Sequence, residues 1–393
     1  MATKTQVLVV GAGPVGLMTA LQLKRRGVDV AVVEQLEHDA ARSFAVVLHP
    51  RTVEMLAELG VIEPLRWQGH SFERIAVYVN DERRALLTLP VDGAFADGAL
   101  SLPQNVLRNV LETALRSAGT SVGYARKLTQ IEQGAEEVRA SFSHTASPGN
   151  SPGPGANIAE TQVISQFLIG ADGVRSSVRE ALGIAFNKVG KERPFVFFDA
   201  LHAAPTGTTA EFAFARYSNA MYPLRGGSAR YSFELPALPS HDLGAHELGE
   251  LRRARMPWHS SKLAQVEWSG VRAFQPAVAE RVGRGRVWLV GDACHATSPL
   301  GTQSLNVGLR EARDLAEAVV DSLHGRALEH LVHGYGAQRQ LEWRRLLAIG
   351  DKPSFGARAP SWAVQHFERL ISCLPASRDD LDDLLEQLDI TLL

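Results

Sequence analysis

The chain has only two cysteines in 393 residues, Cys294 and Cys373. Two thiols cannot build a disulfide framework or a zinc cage. Cys294 follows an apolar strand pattern and reads as a small packed residue. No segment reaches the ~20 consecutive apolar residues of a membrane helix. The N-terminal run in MATKTQVLVVGAG is too short for a signal peptide and ends in glycines. A cytoplasmic protein with no integral membrane segment is the expectation. Charge of one sign is also missing. The formal net charge is -2, so a polyanionic partner is not favoured and no nucleic acid is expected. None of the 13 histidines lies in an H-E-x-x-H or paired Cys/His spacing, so no metal site is expected. No G-x-S-x-G nucleophile elbow occurs either.

What remains is a chain able to bury a large core, with 45% hydrophobic residues. Its first 34 residues read strand, glycine turn, helix, strand, a parallel βαβ unit. The turn is Gly11-Ala12-Gly13-Pro14-Val15-Gly16. Gly11 permits the tight turn, Gly13 lets backbone approach a pyrophosphate, and Gly16 lets the helix pack on the sheet. The N-terminus of the helix read over Gly16 to Arg26 offers free amides and a partial positive charge to the phosphates. Glu34 closes the second strand, where a carboxylate accepts ribose hydroxyls. Two further strand-to-helix junctions carry Gly and Asp: Gly170-Ala171-Asp172-Gly173 and Gly291-Asp292. Three such turns can gather at one sheet edge, where open α/β sheets bind ligands.

Elsewhere, helices are expected over Arg51 to Leu59 and Val106 to Arg116, and strands over Val138 to Phe142 and Thr161 to Ile169. The Ser/Pro/Gly-rich segment SHTASPGNSPGPGAN lies between those strands and reads as a loop. From Phe195 to Leu235 alternation replaces helical spacing, which predicts an inserted antiparallel sheet. The last part of the chain reads as mostly helical. An acidic amphipathic helix over Asp380 to Leu388 is expected to pack on the body, not on a membrane.

The ordered set of three motifs resembles the FAD-dependent aromatic hydroxylases, the single-component flavoprotein monooxygenases typified by para-hydroxybenzoate hydroxylase. The resemblance runs from about Gln6 to roughly Arg345. It implies an α/β fold: a Rossmann-like FAD-binding domain of the glutathione reductase type, with an inserted mixed or antiparallel β-sheet substrate domain and C-terminal helices. The expected FAD-binding domain is discontinuous, over 1–72, 100–185 and 275–345. The substrate domain takes 73–99 and 186–274, and a helical segment takes 346–393.

Carried onto this chain, the resemblance gives Gly11, Gly13, Pro14 and Gly16 to the ADP pyrophosphate and Glu34 to the adenosine ribose. Arg42 would lie near the pyrophosphate and Gln104 along the flavin chain. Asp172, Gly173 and Arg179 would serve FAD and the nicotinamide cofactor. Gly291 and Asp292 would hold the ribityl chain, with Pro299, Gly301, Thr302, Gln303, Ser304 and Asn306 beside the ring. The family loop reads P-x-G-G-Q-G-x-N followed by Asp-Ala. Here Thr302 and Ser304 replace two glycines, and Glu311-Ala312 follows. If those two positions need positive φ, the loop must differ locally.

The implied reaction uses FAD, NADPH or NADH, and O2. Reduced flavin adds oxygen at C4a, and the hydroperoxide hydroxylates a phenolic or polycyclic aromatic small molecule, in natural-product tailoring. No separate nicotinamide domain is evident. Phe197, Phe212, Phe214 and Tyr222 are candidates to line the substrate cavity, although core filling is the plainer role for any one of them. His49 and His70 are candidate bases for a phenol, yet core or solvent roles are commoner, and no catalytic base is named. Halogenation, epoxidation, Baeyer–Villiger oxygenation or prenyl reduction on the same framework are alternatives, though no W-x-W-x-I-P segment of the halogenases occurs. A degenerate, non-catalytic flavin-binding subunit is another. The chain stops before the thioredoxin-like domain of some larger relatives, which leaves monomer and homodimer both open.

Overall fold

The structure, a computed structural model, describes residues 3–37, 44–90, 98–144, 160–203, 207–259, 263–325, 331–347, 349 and 353–392. Arg42 and the Ser/Pro/Gly-rich 145–159 segment lie outside the described residues.

The N-terminal unit forms as its pattern predicts. The Thr3–Val10 strand leads into the Pro14–Arg25 helix and returns as the Val30–Val33 strand. Thr3–Val10 sits between Val30–Val33 and Glu160–Gly170, parallel to both. Val287–Leu289 extends the sheet beyond Glu160–Gly170, again in parallel, and Val122–Gly123 closes the other side. All three glycine-bearing turns therefore leave the same edge of one parallel sheet, as the right-handed crossover requires. Arg126–Gln133 and Val138–His144 branch off as antiparallel strands beside Glu160–Gly170. The core beneath is aliphatic, including Val7, Leu8, Leu17, Leu21, Leu168 and Leu289.

A second sheet of seven strands takes Arg74–Val79 and Glu82–Thr88 from the first part of the chain and five strands between Arg193 and Phe274. It is mixed: Thr209–Phe214 pairs parallel with Arg74–Val79, and the other neighbours are antiparallel. Alternate residues of its strands fall on opposite faces. One face carries Phe195, Phe197, Phe212, Phe214 and Tyr222 into a core shared with the C-terminal helices. The other face, with Phe198, Tyr231 and Phe233, packs beneath the Ala245–Arg255 helix.

The Asp379–Glu386 helix presents Leu381, Leu384 and Leu385 to that shared core, and three acids occupy its first turn, which suits the helix dipole. Among the described residues no helix is long and apolar enough to cross a membrane. Replacing the fully buried Leu384 with Ala should cost about 2–5 kcal/mol. Urea unfolding should then show one shifted transition, because the C-terminal helix shares its core with the second sheet.

Candidate active site

A cleft opens where the three glycine turns meet the second sheet. Gly13, Gly173, Asp292, Pro299, Thr302 and Ser304 all line it, with Pro14 and Gln104 beside them. Its far wall belongs to the second lobe: Arg272 and Phe274 from the Leu263–Phe274 strand, and Phe44 from the segment before Val47. Phe44 packs edge-on to Phe274, with centroids 6.2 Å apart.

The glycines divide by task. Gly11 holds φ +106°, and a Cβ there would lie 2.3 Å from the Ala171 carbonyl oxygen. A Cβ on Gly16 would lie 2.0 Å from the Gly11 oxygen. Both let backbone meet backbone. Gly13 has nothing within 4 Å of its absent side chain and faces the cleft. It leaves room for a ligand, as a pyrophosphate turn requires. Glu34 turns one carboxylate oxygen to the Ala12 amide at 2.9 Å and the other to the Leu36 amide at 2.9 Å. It stays half-buried, and its spare lone pairs can accept ribose hydroxyls.

Asp172 and Arg179 shape the second turn. Asp172 accepts from the Ser176 hydroxyl at 2.5 Å and the Val178 amide at 3.1 Å. Burial raises its pKa, against those hydrogen bonds. Arg179 donates to the carbonyls of Ala293 at 2.9 Å and Val174 at 2.8 Å, tying the second turn to the third. Gly173, at φ +78°, lines the cleft.

The third turn and its loop are held from behind. Gly291, at φ +63°, donates its amide to Glu311 at 3.0 Å. The exposed Asp292 side chain faces the cleft and accepts from the Ser304 hydroxyl at 2.7 Å. The Tyr222 hydroxyl donates to the Leu300 carbonyl at 2.5 Å, and His49 Nε2 donates to the Gly301 carbonyl at 2.9 Å. Asn306 takes the His49 amide and donates to the carbonyls of Val47 and Thr302, each at 2.9 Å. Gln303 points away from the cleft, donating to the Ile371 carbonyl at 2.7 Å. Gly301 also backs onto the C-terminal segment, since a Cβ would meet the Leu374 oxygen at 2.7 Å.

The two replaced loop glycines behave differently. Thr302 does adopt the left-handed region, φ 50° and ψ 23°, at the start of the Gln303–Leu323 helix. A β-branched residue there costs about 1–2 kcal/mol, offset by the contact of its hydroxyl with the Val47 carbonyl at 3.3 Å. Ser304 lies inside the helix, with no positive φ. The helix starts at the cleft, so its first amides and positive dipole end face any anion there.

Phe197, Phe212, Phe214 and Tyr222 do not line the cleft; they are buried in the core behind it. Phe197 reaches it only through Phe44, at a centroid distance of 4.8 Å. Alternation along the strands located the right face of the second sheet, but that face is shared with the C-terminal helices. The wall residues Phe44, Arg272 and Phe274 lie on two segments with no motif; Arg272 comes to sit between the Phe44 and Phe274 rings only in the folded chain. Neither His49 nor His70 lines the cleft.

Two outcomes follow from this geometry. Gly13→Ala should fold with unchanged thermal stability yet lose ADP affinity, whereas Gly16→Ala should lower Tm by several degrees, as thermal unfolding and calorimetric titration would show. His49 is buried, which lowers its pKa from 6.5 to about 3 despite the Gly301 carbonyl. The folded state thus favours neutral His49. Its contribution is complete above pH 6.5 and is lost as pH falls from there toward 3, at up to about 1.4 kcal/mol per pH unit. Denaturant unfolding from pH 7 to 4 should show a shallower decline for His49→Gln than for the parent.

The arrangement matches known proteins. A model described as the FAD binding domain fits residues 4–348. The chain is 27% identical to an uncharacterized aromatic compound monooxygenase, YhjG, of Bacillus subtilis (strain 168), over 86% of this chain and 66% of that protein. It is 28% identical to the 6-methylpretetramide 4-monooxygenase of Streptomyces rimosus, over 87% of this chain and 60% of that one. It thus spans about two thirds of the length of these curated relatives. The p-nitrophenol 4-monooxygenase PnpA from Pseudomonas putida DLL-E4 superposes with a TM-score of 0.75 at 23% identity, covering 99% of this chain and 97% of that one, which shows a shared fold. With the family model spanning the parallel sheet, the second sheet and the cleft between them, the chain belongs to the FAD binding domain family.

Proposed function

We propose that the chain is an FAD-dependent monooxygenase that consumes NAD(P)H and O2 and hydroxylates a phenolic or polycyclic aromatic small molecule. The observation that carries this reading is the convergence of Gly13, Gly173, Asp292 and the start of the Gln303–Leu323 helix on one cleft with an aromatic far wall. The relatives' names, an aromatic compound monooxygenase and a 6-methylpretetramide 4-monooxygenase, support the same class. Natural-product tailoring suits the second of them.

The residues present fit FAD. The open flank of Gly13 accommodates the pyrophosphate, and Glu34 takes ribose hydroxyls. Gln104 and Asp292 face the cleft along its length, where a carboxylate satisfies ribityl hydroxyls. The flavin supplies the redox and oxygen chemistry when bound, and the protein's part is to bind, orient and exclude water. The start of the Gln303–Leu323 helix would lend partial positive charge to a reduced, negatively charged flavin in the cleft. Tyr222 and His49 hold the Leu300 and Gly301 carbonyls by hydrogen bonds from outside the cleft, which fixes the loop's peptide groups.

On the far wall, Phe44 and Phe274 offer faces and edges to an aromatic substrate. Arg272 beside them offers a cation to a phenolate or carboxylate. Tyr222, Phe212 and Phe214 then support the cavity from the core. Protein reconstituted with FAD should be mixed anaerobically with NADPH, then NADH, with and without a panel of phenolics. Flavin bleaching accelerated at least tenfold by one aromatic is expected, followed by product formation on admitting O2. Absence of bleaching under every condition would overturn the self-sufficient hydroxylase reading.

A further inference from the structure

We propose that Ser304 is a positioning residue for the cofactor cleft: its hydroxyl sets the side chain of Asp292 and ties it to a buried His295–Glu311 pair. The inference rests on the reading of the cleft as an FAD site and adds to it a residue that no glycine at this position could replace.

Asp292 sits on the short Gly291–Ala293 turn with its side chain exposed to the cleft. A carboxylate on such a turn has no packing to select its rotamer. The Ser304 hydroxyl, one residue into the Gln303–Leu323 helix, lies 2.7 Å from Asp292 Oδ1. An ionised carboxylate only accepts, so the single hydroxyl proton of Ser304 points to Asp292. The serine oxygen is then left as an acceptor, 3.3 Å from His295 Nδ1, which donates to it when the ring carries a proton on both nitrogens, since Nε2–H is committed to Glu311.

His295 itself cannot turn. Its ring is fully buried and stacks on Trp343 with centroids 3.5 Å apart and planes at 19°. Its Nε2 meets Glu311 Oε2 at 2.8 Å. Glu311 also takes the Gly291 amide at 3.0 Å and the Trp343 indole N–H at 2.7 Å. Order therefore passes outward from the core: Trp343 and Glu311 fix His295, His295 fixes Ser304, and Ser304 fixes Asp292. A carboxylate held in one rotamer before binding costs less to order when a ribityl chain arrives.

The test compares FAD with ADP, which carries only the adenosine and pyrophosphate that the Gly13 end recognises. Dissociation constants for both are measured by calorimetry on the full chain, for the parent, Ser304→Ala, Ser304→Gly, Asp292→Asn and the Ser304→Ala/Asp292→Asn double variant. The expected result is a rise of about tenfold in the FAD constant for either Ser304 variant, with ADP unchanged within about twofold. In the Asp292→Asn background, Ser304→Ala should add nothing, because its effect passes through Asp292. Unchanged FAD affinity in both Ser304 variants, with ADP still bound, overturns the role of Ser304 alone. Additive losses in the double variant, or a parallel loss of ADP, would mean that Ser304 serves the fold and not Asp292. A parent chain that binds neither ligand overturns the FAD reading itself.

Discussion

The buried Glu311 carboxylate is the constraint on which the site depends. It is fully buried yet receives three donors: the Gly291 amide, the His295 ring and the Trp343 indole. Burial by itself raises a carboxyl pKa, but here His295 and the indole outweigh it and the net direction is downward. A buried charge is tolerable only with such a complete set of partners, because an unpaired one costs several kcal/mol. The three donors come from the end of the parallel sheet, the short His295–Ala296 strand and the Ala337–Leu346 helix. One carboxylate thus registers the third glycine turn, the loop beside it and the helix behind it.

Around that anchor, the loop from Pro299 to Asn306 is built from outside itself. Tyr222 of the second sheet and His49 of the N-terminal part grip consecutive carbonyls, and Asn306 clamps the segment near Val47. The left-handed Thr302 persists because these bonds over-determine the backbone. The second sheet therefore does two jobs. Its inner aromatics form a core with the C-terminal helices, and through Tyr222 that core sets the direction of the loop's peptide groups.

Much of the fold was legible because its signals are local. The Gly11, Gly13, Gly16 spacing after an apolar strand, repeated as Gly-Asp at two later strand ends, demands strand-to-helix turns at one sheet edge. Alternation from Phe195 onward marked the second sheet. The parallel pairing of Thr209–Phe214 with Arg74–Val79 was not legible, since alternation marks a strand but not its partner about 130 residues away. The far wall of the cleft was missed for the same reason: Phe44 and Phe274 are ordinary phenylalanines until folding brings them together.

The sequence by itself determined the cofactor family, the position of the glycine turns and the identity of the charged groups near them, because those depend on backbone conformations that few residues permit. It also marked Thr302 and Ser304 as departures. Only the tertiary structure decided what they do: Thr302 accepts a left-handed backbone under external clamps, and Ser304 bridges Asp292 to a buried histidine. It likewise turned Gln303 and Tyr222 from expected ligand contacts into supports. The physical reason is that a side chain's partners are set by contacts between distant segments, and those exist only after the two sheets and the C-terminal helices have packed together.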